Sequence, residues 1–254
     1  MAAAIFTLRH VDKAFEGHVV YDDMSLDILE GETLTVIGGS GQGKSVCLKL
    51  MIGLLTADEG EVLYRGQEVS SMDYEGIRVL RSKVSMVFQG GALFDSMTIL
   101  ANVGYGLREH TKMSDDEIRR RAWDCLEMVG LGQDRGLLDR MPASLSGGMR
   151  KRVAIARSIA LRPEVILYDE PTTGLDPSNT RRIAKMISKL QRELGVTSIV
   201  VTHDMPTAFS VSDRIAMLYN RKFPHIGTPD QFKASEVPEV RNFVQGRVSD
   251  GTQR

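Results

Sequence analysis

Thr33-Leu34-Thr35-Val36-Ile37-Gly38-Gly39-Ser40-Gly41-Gln42-Gly43-Lys44-Ser45-Val46 is the stretch that decides the fold. Thr33 to Ile37 is a β-rich run suited to a buried strand. Gly38 to Ser45 then fits G-x-x-x-x-G-K-[ST], and from Lys44 to Leu55 the apolar spacing becomes helical. Strand, glycine-rich loop and helix in that order make a polyphosphate cradle. Glycines let the backbone wrap closely around the anion, and the amides at the helix start point at it. Lys44 is expected to reach the β- and γ-phosphates, and the Ser45 hydroxyl to ligate Mg²⁺. The same residues do not give G-x-G-x-x-G, so a dinucleotide or protein-kinase loop is unsupported.

A second strand, Val165-Ile166-Leu167-Tyr168, ends in Asp169-Glu170. Two carboxylates at the carboxyl edge of a sheet, beside a phosphate loop, suit nucleotide chemistry. Asp169 would hold Mg²⁺ through water, and Glu170 would polarise the attacking water. An Asp-Glu pair can also cap a helix; the phosphate loop favours chemistry.

Further out, residues 4 to 30 alternate apolar and polar side chains around Gly17 and predict two or three short strands. A turn at Ala57 to Gly60 leads to a strand at Glu61 to Tyr64, and residues 84 to 88 form another. Residues 99 to 160 are almost wholly helical, broken at Gly130, Gly132 and Gly136. A helix from about Ser178 to Leu194 precedes a buried strand at 197 to 202. The last thirty or so residues predict a short hairpin, a helix and a polar tail. Alternating buried strands and helices imply a largely parallel sheet covered on both faces, with a helical lobe at about 91–160.

The chain has 254 residues, 32 Lys+Arg and 33 Asp+Glu, a net charge of −1 that gives no electrostatic case for coating nucleic acid or an anionic membrane. Its 42% hydrophobic content is too high for a disordered chain. Cys47 and Cys125 are far apart with no C-x-x-C, which rules out a disulfide scaffold and fits a reduced cytosolic compartment. The opening Met1 to His10 reads as a strand rather than a secretion signal. No segment approaches the ~20 apolar residues that span a bilayer, so at a membrane something else must hold the chain.

The third signal is Leu145-Ser146-Gly147-Gly148-Met149 followed by a basic helix. Ser146 is an N-cap type, and two glycines open a helix from about Met149 to Leu161. Bare amides and a helix dipole make an anion site. It is the second in one chain, although the first already has its phosphates. One solution is that it serves a partner's ATP.

These motifs resemble the ABC transporter ATPases from end to end. Their order fits throughout: phosphate loop at 38–45, Gln89 after a strand, signature at 145–149, Asp169-Glu170, Gly174-Leu175-Asp176, then His203. The resemblance implies an α/β P-loop NTPase core of the RecA-like kind, with a small antiparallel β subdomain and a helical signature lobe. It implies one ATPase domain over 1–246, its core at about 1–90 and 161–220, its lobe at about 91–160, and a hairpin, helix and tail over 221–254. It further implies ATP and Mg²⁺, with two copies head to tail and two ATP molecules between them.

By the same resemblance, Gln89 touches Mg²⁺ or the attacking water and senses the membrane subunit. His203 contacts the γ-phosphate, and Asp176 lies in the loop linking the ATP sites, though Asp176-Pro177 also suits a helix cap. Phe15, 29 residues before Lys44, is the adenine-stacking aromatic, with Tyr21 as competitor. Three departures stand out. Gly39 replaces a common proline, Ser144 stands where a glutamate often precedes the signature, and Met149 replaces the commoner glutamine.

Met149-Arg150-Lys151-Arg152 is instead similar to the ATPases of Mla- and Mce-type lipid transporters. So are Phe88 to Ser96, Asn102 to His110 and Pro238 to Gly246. This narrower resemblance implies a bacterial subunit that moves phospholipids between inner and outer membrane and maintains outer-membrane lipid asymmetry. Expected partners are an integral permease seated near Gln89 to His110, a periplasmic MCE-domain protein and a STAS-domain protein. Nucleic acid is not among them. The expected location is the cytoplasmic face of the inner membrane, peripheral through the permease. An ABC importer for an amino acid or metal complex would share every ATP-site residue and remains open, as does a soluble non-transport ABC protein. Translation types of the latter usually carry two cassettes, and this chain has one. No N-K-x-D motif supports a GTPase.

Overall fold

The computed structural model describes residues 3–245. Met1, Ala2 and the predicted polar tail from Gly246 onward lie outside the described residues. The chain divides into two compact units. One holds the residues up to Met72 and those from Val200 onward; the other runs from Asp73 to Ile199.

The first unit opens with β1 (Ala4–Phe15) and β2 (His18–Leu29), paired antiparallel. Their turn is Glu16-Gly17, with φ of 48° and 82°, the mirror-image turn that matches strand twist. These are two long strands rather than several short ones. Register shifts, such as that between Leu8 and Val11, absorb the irregular alternation as bulges. β3 (Thr33–Ile37) is buried throughout and leads through the glycine loop to α1 (Lys44–Met51). β4 (Glu59–Tyr64) pairs with β1 and with β5 (Gln67–Glu68), completing an antiparallel sheet of order β2-β1-β4-β5.

In the second unit, α2 (Tyr74–Lys83) leads into β6 (Val84–Val87). The strongest mark of α2 in the sequence is its cap Asp73, whose side chain accepts from the Gly76 amide at 2.8 Å. α3 (Ile99–His110), α4 (Asp115–Met128) and α5 (Gly147–Ile159) pack on one another as a helical lobe. Thr98, Ser114 and Ser146 cap them, Ser114 with Glu117 in a capping box. Short 3₁₀ turns separate α4 from α5 where the glycines predicted breaks. β7 (Val165–Asp169) runs parallel to β6, pairing Val84 with Val165 and Val87 with Tyr168. α6 (Pro177–Leu194) closes at Gly195 in the left-handed conformation, and β8 (Thr197–Thr202) passes through the boundary between the units.

Back in the first unit come α7 (Met205–Val211), β9 (Arg214–Tyr219) and β10 (Lys222–Gly227). β9 lies parallel to β3 and antiparallel to β10. Two short helices follow, α8 (Pro229–Lys233) and α9 (Pro238–Val244), where one was expected. Phe232 and Val240 bury themselves against Ile37, Ala208, Ile215 and Met217. The architecture is α/β, combining an antiparallel sheet, parallel strand pairs and a helical lobe.

Candidate functional site

The phosphate loop belongs to the first unit. Gly43, at φ 96°, is the N-cap of α1, which has no side-chain cap. A Cβ on Gly43 would lie 2.2 Å from Val20 Cγ1, and one on Gly38 would lie 2.7 Å from the Leu218 carbonyl oxygen. Only glycine fits both places. Tyr21 is fully buried and its hydroxyl donates to the Gly43 carbonyl at 2.5 Å, so β2 holds the loop from below. Burial pushes that phenol well above its ordinary pKa, keeping it a donor. Within the loop, Gln42 Oε1 accepts from the Gly39 amide at 3.1 Å. Lys44 is buried and curls back, its Nζ donating to the Gly38 and Gly39 carbonyls at 3.0 and 2.9 Å. Ser45 and Val46 form the first turn of α1.

Two more expected residues lie in this unit. Phe15 ends β1 with 39% of its surface exposed, whereas Tyr21 is spent in the core. Of the two aromatics, only Phe15 is exposed, with the Lys13 ammonium 5.2 Å from its ring centroid. His203 follows β8 and is exposed, and the next residue, Asp204, caps α7 by accepting from the Thr207 amide at 3.0 Å. An open cavity of about 610 Å³ brings His203 together with Gly39 and Gln42, with Tyr219, Asn242 and Phe243 on its other walls. That volume suits a small-molecule ligand.

The carboxylates belong to the second unit. Asp169 and Glu170 are 8% and 9% exposed at the end of a strand that is buried throughout. They cap no helix, since α6 starts only at Pro177. Glu170 sits at φ 46°, a strained conformation for a residue with a side chain. Thr173 Oγ1 donates to Glu170 Oε2 at 3.1 Å and orients the carboxylate. Gln89, just past β6, is exposed. Lys151 of α5 joins these parts: its Nζ donates to the Gln89 carbonyl and to the Glu170 carbonyl, the latter at 3.4 Å. Burial lowers the Lys151 pKa, and the nearby charges of Glu170 and Asp169 push it back up.

The signature also lies in the second unit. Leu145 is buried, and Ser146 caps α5 by accepting from the Met149 amide at 3.3 Å. The helix begins at Gly147, two residues earlier than its apolar spacing suggested, because both glycines enter the first turn. A Cβ on Gly148 would meet Asn179 Oδ1 at 3.0 Å. Asn179 Nδ2 donates to Asp176 Oδ2, while Asp176 Oδ1 accepts from the Ser178 and Asn179 amides at 2.9 and 3.0 Å. These bonds, those from Asn179 foremost, hold the Asp176 carboxyl below its usual pKa. Asn179 therefore bonds to Asp176 and lies close beside Gly148 of the signature. Lys151, Thr173, Asn179 and Tyr21 in its supporting role were not legible in the motifs; each acts through a contact distant in sequence or through its neighbour's side chain.

Ser45, Gln89 and Asp169 offer hydroxyl, amide and carboxylate oxygens, the hard donors that Mg²⁺ takes. Among the described residues no three His, Cys, Asp or Glu cluster as an all-protein cage. In the second unit by itself, the Gln89 and Asp169 oxygens suit an ion held in part by water and phosphate. Cys47 and Cys125 are buried and free, with burial pushing their thiols up to about 12 and about 11. Among the described residues no helix is long and apolar enough to cross a membrane.

The sequence profile of the ABC transporter family matches residues 21–173. The intermembrane phospholipid transport system ATP-binding protein MlaF of Escherichia coli K12 is 38% identical over 249 residues, 98% of this chain and 91% of that protein. The probable ribonucleotide transport ATP-binding protein mkl of Mycobacterium leprae is 37% identical over 94% of this chain and 68% of its own length. Among solved structures, the ATP-binding cassette MJ0796, a post-hydrolysis dimer bound to ADP and Pi, superposes with a TM-score of 0.80 at 33% identity. That match covers 88% of this chain and 98% of the other.

Proposed function

This chain belongs to the ABC transporter family as its ATP-binding, ATP-hydrolysing subunit, and from that premise we propose that it powers phospholipid movement between bacterial membranes. The observation that carries the lipid assignment is the extent of the likeness to MlaF. It runs over 98% of the chain and therefore includes the lobe and C-terminal stretches, which meet partners rather than ATP. The name of mkl points to ribonucleotides instead, but this chain spans only 68% of that protein.

In the proposed cycle, Lys44 and the amides from Gly38 to Val46 hold the phosphates, and Phe15 stacks on adenine. Ser45, Asp169 and Gln89 hold Mg²⁺, which when bound offsets charge on the phosphate oxygens. Glu170 takes the proton of the attacking water, and His203 hydrogen-bonds the γ-phosphate. Leu145 to Met149 serve the ATP of a second copy arranged head to tail, and Asp176 links the two sites. ATP binding closes the dimer; hydrolysis and phosphate release reopen it. A permease seated on the helical lobe turns that motion into lipid movement and holds the chain at the inner membrane. MCE-domain and STAS-domain proteins complete the assembly.

The lobe supports the docking part of this reading. Phe94 and Tyr105 are 42% and 40% exposed with ring centroids 5.0 Å apart, an apolar pair on the surface. Buried Asn102 presents Phe94 by accepting from its amide at 2.8 Å and donating to its carbonyl at 3.0 Å. Phe94→Glu is expected to abolish co-purification with a multi-span permease while leaving ATP affinity and melting temperature unchanged. Mass spectrometry of the wild-type pull-down should find that permease together with phospholipid. An amino-acid permease as the sole partner would sink the lipid assignment, and stable membrane association without any permease would sink the docking.

A further inference from the structure

We propose that Lys151 is a positioning residue: it makes the signature helix set the place of Gln89 and Glu170, so that a shift of α5 reaches the hydrolytic carboxylate. The inference rests on Glu170 being the general base.

Ser146, the N-cap of α5, faces a second copy's nucleotide in the proposed dimer, and Gly148 in the first turn lies beside Asn179, which bonds to Asp176. One turn on, the buried Lys151 ammonium donates to two main-chain carbonyls, those of Gln89 and Glu170. A buried ammonium is costly unless its donors are satisfied. Here satisfying them fixes two backbone segments at once. The ridge continues at i+3 and i+6. Ala154 Cβ lies 3.4 Å from where a Cβ on Gly91 would sit. Arg157 donates to the Gly91 and Ala92 carbonyls at 2.9 and 2.8 Å and lies 5.7 Å over the Phe94 ring. Lys151, Ala154 and Arg157 thus clamp residues 89–94 along one helix edge.

Glu170 makes the clamp consequential. Its φ of 46° is held by surrounding contacts rather than by its own preference. Its carbonyl is held by Lys151 and its carboxylate by Thr173. Displacing the carbonyl rotates the peptide that aims the carboxylate. A base displaced by about 1 Å loses about 10²-fold in rate.

The test uses the full-length purified dimer. Lys151→Met keeps the aliphatic stem and removes the ammonium. We expect kcat to fall about 10²-fold, KM for ATP to stay within about twofold, and Lys151→Arg to recover most of the rate. Adding Lys151→Met to Glu170→Gln should slow hydrolysis no further, because both changes act through one group. A wild-type kcat for Lys151→Met would overturn the proposal. So would a further 10²-fold loss in the Glu170→Gln background, or a fall in nucleotide affinity that tracks a lowered melting temperature with no recovery by arginine. Should Glu170→Gln alone hydrolyse at the wild-type rate, the assignment of the base fails instead, and that result is seen separately.

Discussion

Two helices in this chain start at glycine-rich segments, and they start differently. α1 begins at Gly43 in a left-handed conformation with no side-chain cap, and its surroundings exclude any Cβ there. α5 begins at Ser146, whose own hydroxyl caps the Met149 amide. The first start is shaped as a cradle for a ligand the chain binds by itself, with Lys44 and Gln42 bracing the loop from within. The second is stabilised by its own side chain. In the proposed dimer this second start meets phosphate only with a second copy, and the Ser146 hydroxyl satisfies one of its amides, that of Met149, without any ligand.

The largest expected effect leaves both helix starts intact and removes the chemistry between binding and reopening. Glu170→Gln keeps the shape and loses the base, so hydrolysis should slow by about 10²–10⁴-fold. ATP should remain bound and the dimer should live longer, visible by size exclusion with nucleotide. Turnover at the wild-type rate would remove Glu170 from the mechanism.

The next experiment sets the two starts against each other. Lys44→Ala removes charge-assisted bonds of about 1.5–3 kcal/mol and should weaken ATP binding to a single chain by about 10- to 150-fold. Ser146→Arg should leave that binding nearly intact and abolish hydrolysis, because it obstructs the neighbour's nucleotide. Mixing the variants should restore a fraction of the activity through one complete composite site. Titration of isolated chains with labelled ATP is the direct measure. Equal loss of affinity in both variants would mean that the two starts do not serve different copies.

Much of this contrast was legible from motifs, because phosphate loops and caps are local. Gly38 to Ser45 between strand and helix, Ser146 before Gly147, and Asp176 before Pro177 each report their geometry within a few residues. What was not legible is held by distant pairs. Tyr21 looked like a second adenine-stacking aromatic, yet it is core and braces Gly43 from 22 residues away. Lys151 looked like part of a basic run on a signature helix, and nothing in a charge run marks the one ammonium that turns inward to Gln89, 62 residues back. α2 and α7 escaped because short amphipathic helices between stronger signals have few periods to show. The two long strands β1 and β2 were hidden by their own bulges, which break the alternation that would have announced them.

The smallest expected effect separates the starts by stability alone. Ser146→Ala removes a bond of 3.3 Å from an exposed cap and should cost about 1 kcal/mol, or about 2–4 °C in melting temperature. Affinity of the isolated chain for ATP should not change, since the loop that binds it is elsewhere in the sequence. Gly43→Ala is the opposing case. Its φ of 96° disfavours any side chain, and the new Cβ would sit 2.2 Å from Val20 Cγ1. Relief requires β2 or the loop to move, at a cost of about 1–3 kcal/mol, and the movement would also disturb the Tyr21 bond to the loop. Gly43→Ala should therefore lower both melting temperature and ATP affinity, and Ser146→Ala only the first. Calorimetry with and without ATP distinguishes them. If Ser146→Ala proves the more damaging of the two, or if Gly43→Ala binds ATP as wild type does, then the difference between a start built for a ligand and a start that caps itself is not what shapes these two helices.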